Sequence, residues 1–236
     1  MKKLLLILVM LSFGFAANSQ VLISILLGDK LNTGKIEFGL DGGANFSNIH
    51  GLPGANTLTG FNLGFYFDFK LKNPSWMVNT GVIVKSPLGA KDLPVYPLNN
   101  SYLDSAFAGG SVARKLRYFN VPVMMKYKFK NNLYVKAGIQ LGLRSKAFDE
   151  FTNKIVDKKD LMYNLEIKDQ FHPLDAGLAF GVGYRLMGGN GMNVGLQYYL
   201  GLIDVVIDDA SPNQYNRSLY LTVGIPIGKG KKNKKT

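Results

Sequence analysis

The residues of this 236-residue chain that could do chemistry are few and scattered. It has two histidines, His50 and His172, and no cysteine, so disulfides and thiolate metal sites are excluded. Ser47 lies three residues before His50, and Asp175 lies three after His172, which could supply a serine, histidine and carboxylate for lipid hydrolysis. No nucleophile motif surrounds any serine, and the histidines lack metal-ligand spacing. We therefore predict no catalytic residue, no cofactor and no metal.

A second set of chemically capable residues is charged and lies within otherwise apolar, alternating segments. Opposite charges among them could pair, because their spacing places them on one face of a β-strand. The candidates for such a charge network are Glu37, Asp68, Lys70, Lys126, Lys128, Lys136 and Arg185. Near the opposite ends of their segments, the same face carries Lys85, Arg144 and Asp175.

The segments that must position these charges alternate with a period of two residues from Lys35 onward. From Thr59 to Leu71, Phe and Leu occupy every second position, and Gly, Asn, Tyr, Asp and Lys lie between them. This pattern predicts strands with one apolar and one polar face. The eight predicted strands are 35–47, 58–71, 76–86, 117–129, 133–144, 174–186, 192–202 and 217–228. Such lengths suit the ~9–11 residues of a tilted membrane-spanning strand.

The connections between these strands alternate in length. Long ones, near 48–57, 87–116, 145–173 and 203–216, follow the odd-numbered strands, and short turns follow the even-numbered ones. The apolar face carries no charge in the middle of any strand, as lipid contact requires. We predict an all-β fold, an eight-stranded antiparallel, up-and-down transmembrane β-barrel with long outer loops and short periplasmic turns. The alternative is a soluble β-sandwich or barrel.

Aromatic residues on the apolar face gather near the short turns and predict a girdle at the membrane interface. They are Phe69, Trp76, Tyr127, Phe129 and Tyr184. The two longest connections are also rich in aromatic rings, which would either recognise a partner or pack the loops together. These rings are Tyr96, Tyr102, Phe107, Phe148, Phe151, Tyr163 and Phe171.

Both ends of the chain are basic. Residues 1–19 combine two lysines, an apolar run and a small-residue cleavage pattern, which is typical of a secretory signal peptide. The formal net charge is +12, of which the leader and the tail at 229–236 hold seven charges. Since the body lacks a basic stripe with interleaved aromatics, we predict no nucleic-acid binding. We expect a periplasmic segment at 20–34, a barrel at 35–228 and a basic periplasmic tail at 229–236, in the cell outer membrane.

Several segments resemble the PorT-like outer-membrane β-barrel family of Bacteroidota. They are 35–47 (KIEFGLDGGANFS), 117–129 (RYFNVPVMMKYKF), 134–144 (YVKAGIQLGLR) and 219–227 (LYLTVGIPI). The second is the most specific, with Tyr118, Asn120, Val121 and Pro122 before its basic end. The resemblance covers nearly all of the mature chain and implies an eight-stranded outer-membrane barrel. The family's namesake is linked to protein secretion across the outer membrane, while most members have no assigned activity. The chain departs from many barrels by continuing past Ile227 instead of ending in an aromatic residue.

These features favour a small non-enzymatic barrel with a structural or adaptor role. We expect a monomer in outer-membrane lipid that engages other envelope or secretion proteins. An eight-stranded barrel is about wide enough to be filled by its own side chains, so the charges should pair and close the lumen. Neutralising Lys126 and Lys136 should then raise ion leakage. The alternatives are a narrow passive channel for small solutes, left open by the many glycines, and a lipid hydrolase that uses His50 or His172.

Overall fold

The computed structural model describes residues 32–155, 159–189, 191–209 and 212–227. The predicted signal peptide at 1–19, most of the predicted segment at 20–34 and the basic tail at 229–236 lie outside the described residues. No helix within the described ranges is long and apolar enough to cross a membrane. Just before the first strand, the Asn32 side chain hydrogen-bonds both backbone groups of Phe38 and the carbonyl of Ile227. This contact fastens the start of the barrel to its last strand.

The described residues form ten strands and a few short helical turns. The strands are β1 (Ile36–His50), β2 (Asn56–Lys70), β3 (Trp76–Lys85), β4 (Pro87–Leu93), β5 (Ser111–Lys128), β6 (Leu133–Ile155), β7 (Lys159–Glu166), β8 (Leu174–Arg185), β9 (Asn193–Gly201) and β10 (Tyr215–Pro226). The helical turns are α1 (Ser101–Phe107), α2 (Leu186–Gly189) and a 3-10 turn at Lys168–Gln170.

Eight of these strands close into an antiparallel ring in the order β1-β2-β3-β5-β6-β8-β9-β10, and β10 pairs with β1. Closure pairs the edges of the ring, as hydrocarbon requires. The predicted eight-stranded barrel is therefore confirmed.

The ring strands have an exterior that is more apolar than their interior. In β5, the odd-numbered residues from Phe119 to Met125 are 37–45% exposed, whereas Asn120 and Lys126 are buried. Other buried side chains of the ring are polar, including Asn45, Asn62, Asp68, Asn79, Gln140, Gln197 and Thr222. A soluble protein would place these groups the other way round. The distribution is that of a barrel in lipid and excludes the soluble alternative.

The predicted aromatic girdle lies at the short-turn end of the barrel. The Trp76 and Tyr127 rings are 4.9 Å apart, and those of Tyr127 and Phe129 are 4.8 Å apart. Phe69 and Tyr184 are also exposed at this end. These amphipathic rings suit the interface between hydrocarbon and water.

Two of the predicted long loops contain regular structure. The connection predicted at 87–116 holds β4, α1 and the start of β5, and the one at 145–173 holds the end of β6 and β7. We call residues 87–117 and 145–166 the outer head. Its core contains Leu93, Phe107, Val112 and Phe151, so the aromatic rings of these connections largely pack against one another.

The period of two continues into the outer head, but the apolar side changes. In β5, Val112 and Leu116 are buried on the same side as Asn120 and Lys126, so the interior changes from polar to apolar. In β6, a bulge opposite the Arg117–Tyr118 step shifts the register. Beyond this bulge, the odd-numbered residues face inward instead of toward lipid. The predicted strands ended at this inversion because the prediction required apolar residues to stay on the same face along the whole strand.

Candidate functional site

Glu37 and Arg185 form the first of two ion-pair clusters in the lumen near the short turns. Arg185 Nη2 lies 2.6 Å from Glu37 Oε2. The Tyr66 hydroxyl donates to Glu37 Oε1 at 3.0 Å and accepts from Asn193 Nδ2 at 3.1 Å. One carboxylate therefore ties together side chains from β1, β2, β8 and β9.

Asp68 and Lys126 form the second cluster. Lys126 Nζ is 2.6 Å from Asp68 Oδ2, and the two side chains are 5% and 1% exposed, respectively. Asn79 Nδ2 donates to Asp68 Oδ1 at 2.6 Å, and Lys126 Nζ lies 4.3 Å from the centre of the Tyr134 ring. Removing two charges from water costs free energy, and a buried ion pair compensates for that cost only when such additional partners contact it.

Together the clusters leave little open space. A cavity of ≈ 20 Å³ lies between them, which is room for about one water molecule. Asp41 of β1 and Lys136 of β6 line this cavity, although among the described residues they form no ion pair. We call the two clusters and this cavity the lower seal.

The predicted charge network is only partly assembled. Glu37, Asp68, Lys126 and Arg185 form the two ion pairs described above, and Lys136 lines the cavity. Lys70 and Lys128 lie at the ends of β2 and β5, where water can solvate their ammonium groups in place of an ion-pair partner. Lys70 is exposed, and its Nζ donates to the Gly34 carbonyl at 3.3 Å. Lys128 is partly buried and has no ion pair within the described residues.

The remaining charges of this face lie toward the long connections. Asp175 is buried and accepts from Asn216 Nδ2 at 2.8 Å. The Arg144 guanidinium donates to the carbonyls of Phe171 and His172. Lys85 was predicted on the lumen face, but it is exposed and its Nζ lies over the outward-facing ring of Phe61, because the register shifts beside it. None of these three joins the lower seal.

Sequence reasoning did not select the uncharged members of the lower seal. Tyr66, Asn79, Tyr134 and Asn193 complete the two clusters or line the cavity. All four occupy polar-face positions of their strands, so the alternation could have identified them. They were missed because the prediction of the network was restricted to charged residues; Asp41, which is charged and lines the cavity, was missed as well.

Glycines on the lumen face make room for these large side chains. A Cβ on Gly39 would lie 2.4 Å from Cε1 of Tyr66, and one on Gly183 would lie 2.3 Å from the hydroxyl of Tyr134. A Cβ on Gly181 would lie 2.8 Å from Cε of Lys136. The space that these glycines leave is therefore filled by neighbouring side chains.

Gly195 offers a direct test of this packing. An alanine Cβ there would lie 2.6 Å from the Tyr134 hydroxyl, so Gly195→Ala should lower the free energy of unfolding by about 1–3 kcal/mol. The cost should shrink in a Tyr134→Phe background, which removes the clashing oxygen. Urea unfolding in vesicles, monitored by the fluorescence of the single tryptophan, measures both changes. Gly109→Ala is the control, since nothing lies within 4 Å of its Cβ position; equal costs in the two backgrounds would contradict the packing account.

A second, apolar cluster lies toward the other end of the lumen. The segments at 167–172 and 203–207 fold inward, where Phe171 pairs with Val206 and His172 N donates to the Val205 carbonyl at 2.8 Å. Their buried side chains join those of the barrel wall in one cluster. It contains Ile49, Leu88, Ala90, Leu116, Tyr118, Ala147, Ile167, Phe171, Tyr199, Val205 and Tyr220. We call this cluster the outer plug.

A buried ion pair holds the outer head together above the plug. Arg114 binds Asp149 through two hydrogen bonds of 2.9 and 2.7 Å, and Tyr96 donates to the same carboxylate at 2.9 Å. Burial, and after it the Asp149 carboxylate, raise the pKa of the Tyr96 hydroxyl above its usual range. The guanidinium also lies over the Phe171 ring, 5.3 Å from its centre, so this cluster links the head to the plug.

The residues considered for hydrolysis have separate contacts. Ser47 is buried and donates to the Leu58 carbonyl, whereas His50 is exposed at the end of β1. The Asp175 side chain accepts hydrogen bonds from Asn216 and Tyr199. Within the described ranges, no group of three or more His, Cys, Asp or Glu residues could hold a metal ion. The absence of enzymatic activity stays a prediction.

Comparison with known proteins gives one family match and several similar solved structures. The family model described as the outer membrane protein beta-barrel domain matches residues 17–206. No curated protein matches the chain in sequence.

Three similar solved structures are small barrels. The attachment invasion locus protein Ail of Yersinia pestis is 14% identical, with a TM-score of 0.42 over 82% of this chain and 99% of that one. Neisserial surface protein A is 14% identical, with a TM-score of 0.39 over 81% and 97%. OprG from Pseudomonas aeruginosa is 12% identical, with a TM-score of 0.39 over 84% and 100%. At these scores, the likeness says nothing about what this chain binds.

The family match covers most of the chain and most of the strands that close the ring. The barrel has the exposed apolar band and the polar interior that are expected of a protein in lipid. The chain is therefore a member of the outer membrane protein β-barrel domain family, and its location is the outer membrane.

Proposed function

We propose that this protein is a closed, non-enzymatic outer-membrane barrel with a structural or adaptor role. The observation that carries the proposal is the pair of barriers in series, the lower seal and the outer plug. Either one would block solutes, so a passage would need both to open. The narrower assignment, a PorT-like protein of Bacteroidota that works alongside protein secretion, rests on the sequence resemblance and is part of the proposal.

The outer head supports an adaptor role because it is a folded projection on a closed barrel. Its core rings and its buried Arg114–Asp149 pair hold it in shape. On its surface, Tyr102 is 79% exposed, and Met162 is also exposed. Residues of this kind on a rigid scaffold are suited to binding another protein. We expect the partner to be an envelope protein and the barrel itself to be monomeric.

Planar-bilayer conductance separates this proposal from the passive channel. The wild-type protein, shown to be inserted, should be silent. The Lys126→Ala/Lys136→Ala variant should also be silent, because the outer plug remains in place. The sequence analysis predicted increased ion leakage for this variant. That prediction is replaced because it took only the charge network into account and not the outer plug. Combining that variant with Phe171→Ala should produce discrete current steps.

Two outcomes of this experiment would contradict the proposal of two barriers. Reproducible steps from the wild-type protein would contradict the closed barrel and favour a narrow channel for small solutes. Steps from Lys126→Ala/Lys136→Ala alone would contradict the role of the plug as a second barrier. A matched Lys72→Ala/Lys130→Ala variant, which removes the same charge at exposed positions near the short turns, should remain silent.

A further inference from the structure

A cleft opens in the outer wall of the barrel, where the membrane-spanning strands meet the outer head. Its volume is ≈ 510 Å³. It is lined by β2, the junction of β3 and β4, and the adjoining parts of β5 and β6. Lys85, Arg117 and Lys146 line it from the exposed side of the wall. Its buried side includes Tyr118, which also belongs to the outer plug.

The cleft forms because β2 loses its neighbour over several residues. The β2–β3 ladder ends at the pair Leu63 and Lys85, and the β2–β4 ladder begins only at the pair Thr57 and Ala90. No ladder joins the intervening part of β2 to the β3–β4 junction among the described residues. The wall is therefore indented at this level.

Pro87 holds the indentation open. Proline has no N–H to offer a ladder, and the Pro87 carbonyl accepts a hydrogen bond from Asn45 Nδ2 at 2.6 Å. This bond draws the start of β4 toward the lumen, over Gly60. A Cβ on Gly60 would lie 2.5 Å from Cγ of Pro87, so the close approach depends on glycine.

The lining of the cleft is strongly basic. Lys85, Lys115, Arg117 and Lys146 line it, and none of its described lining residues is acidic. Lys115 alone is paired, with Glu150 Oε1 at 2.6 Å from its Nζ. Among the described residues, the other three have no ion-pair partner.

Two of these unpaired cations face each other. Arg117 and Lys146 are directly opposite on β5 and β6, an arrangement that repels in the absence of an anion. The Arg117 guanidinium also lies 5.1 Å from the centre of the Phe148 ring, which restrains it. An anion between the strands would relieve the repulsion, and phosphate suits the forked guanidinium.

The position of the cleft favours an anion that carries apolar chains. Below it, Phe61, Val84, Phe119 and Leu143 form part of the exposed apolar band, and above it lies the outer head. This boundary is the level of lipid head groups. Since long connections of outer-membrane barrels face outward, the cleft lies in the outer leaflet.

We propose that this cleft binds the phosphorylated head group of an outer-leaflet lipid. Lys85, Arg117 and Lys146 contact the phosphate, and the acyl chains lie along the apolar surface around Phe61 and Phe119. The proposal concerns the outer wall, so it does not depend on whether the lumen conducts.

Binding of diphosphorylated lipid A to the detergent-solubilised full chain tests this site. The wild-type protein should retain the lipid in native mass spectrometry and in a titration. The Lys85→Gln/Arg117→Gln/Lys146→Gln variant should bind about tenfold or more weakly, because several charge-assisted contacts are lost. All three side chains are exposed, so the variant should fold. Heat-modifiable mobility on gels verifies this.

Matched controls identify the ligand. Lys35→Gln/Lys72→Gln/Lys130→Gln makes the same change in charge at exposed positions near the short turns and should bind lipid A as the wild type does. Lipid A without its phosphates should bind the wild type as weakly as the intact lipid binds the cleft variant. Equal binding of intact lipid A to the cleft variant and the wild type would overturn the proposal. Complete displacement by an equal concentration of inorganic phosphate would overturn the lipid assignment and indicate a site for free phosphate.

Discussion

Replacing Lys126 with methionine should lower the free energy of unfolding by about 3–5 kcal/mol. The substitution keeps much of the side-chain volume but leaves the buried carboxylate of Asp68 without the ammonium that lies 2.6 Å away. Asn79 still donates to this carboxylate, but one neutral hydrogen bond does not replace a buried counter-charge. Urea unfolding of the protein in vesicles, followed by Trp76 fluorescence, measures the loss.

Two further variants separate the lost ion pair from other effects of the substitution. Lys70→Met makes the same replacement at an exposed strand end and should change the free energy of unfolding by about 0.5 kcal/mol or less. Adding Asp68→Asn to Lys126→Met removes the uncompensated charge and should recover much of the lost stability. The single variant Asp68→Asn completes the comparison. A double variant whose loss of stability equals the sum of those of Asp68→Asn and Lys126→Met would show that Asp68 and Lys126 are not coupled.

Replacing Phe171 with alanine should lower the free energy of unfolding by about 3–5 kcal/mol. The ring is buried in the outer plug and lies beneath the Arg114 guanidinium. Its removal leaves a cavity where the inward-folded segments meet the barrel wall. Since these segments are joined by few backbone bonds, the plug should also open locally more often. Urea unfolding measures the global loss, and limited proteolysis from the outer side measures the opening.

Tyr102→Ala is the matched control for the plug. It also truncates an aromatic ring on the long-connection side, but that ring is 79% exposed. We expect a change of about 0.5 kcal/mol or less and unaltered cleavage at 167–172 and 203–207. Equal protease sensitivity of the Phe171→Ala variant and the wild type would show that the ring does not hold the plug in place.

The alternating pattern was sufficient to predict the barrel. In segments such as Thr59 to Leu71, lipid contacts one face and a crowded interior contacts the other. These two environments impose opposite polarity on neighbouring residues, so the number of strands in the ring and the outward apolar face could be predicted without tertiary information. Above the membrane, water replaces lipid and the apolar side turns inward at Arg117 and Tyr118, so a fixed apolar face no longer predicts the strands there.

The partners within the lumen could not be predicted in the same way. Alternation placed Glu37, Asp68, Lys126 and Arg185 on the polar face, but it did not specify which charges meet. Arg185 reaches Glu37 across 148 positions of sequence, and Lys126 reaches Asp68 across 58. Their contacts depend on ring closure, on the stagger between strands and on the glycines that admit Tyr66 and Tyr134. Lys70 follows the same alternation as Asp68 but lies at the mouth, where solvent replaces an ion-pair partner.

Local sequence thus determined the fold class, because a membrane imposes its polarity on every strand independently. Whether the lumen is closed depends on contacts between distant segments. The outer plug combines Phe171 and Val205 with side chains from six strands. The basic cleft arises where the pairing of β2 with β3 and β4 is interrupted, beside Arg117 and Lys146. Neither feature has a periodic signature, since each is made by residues that only the folded ring brings together.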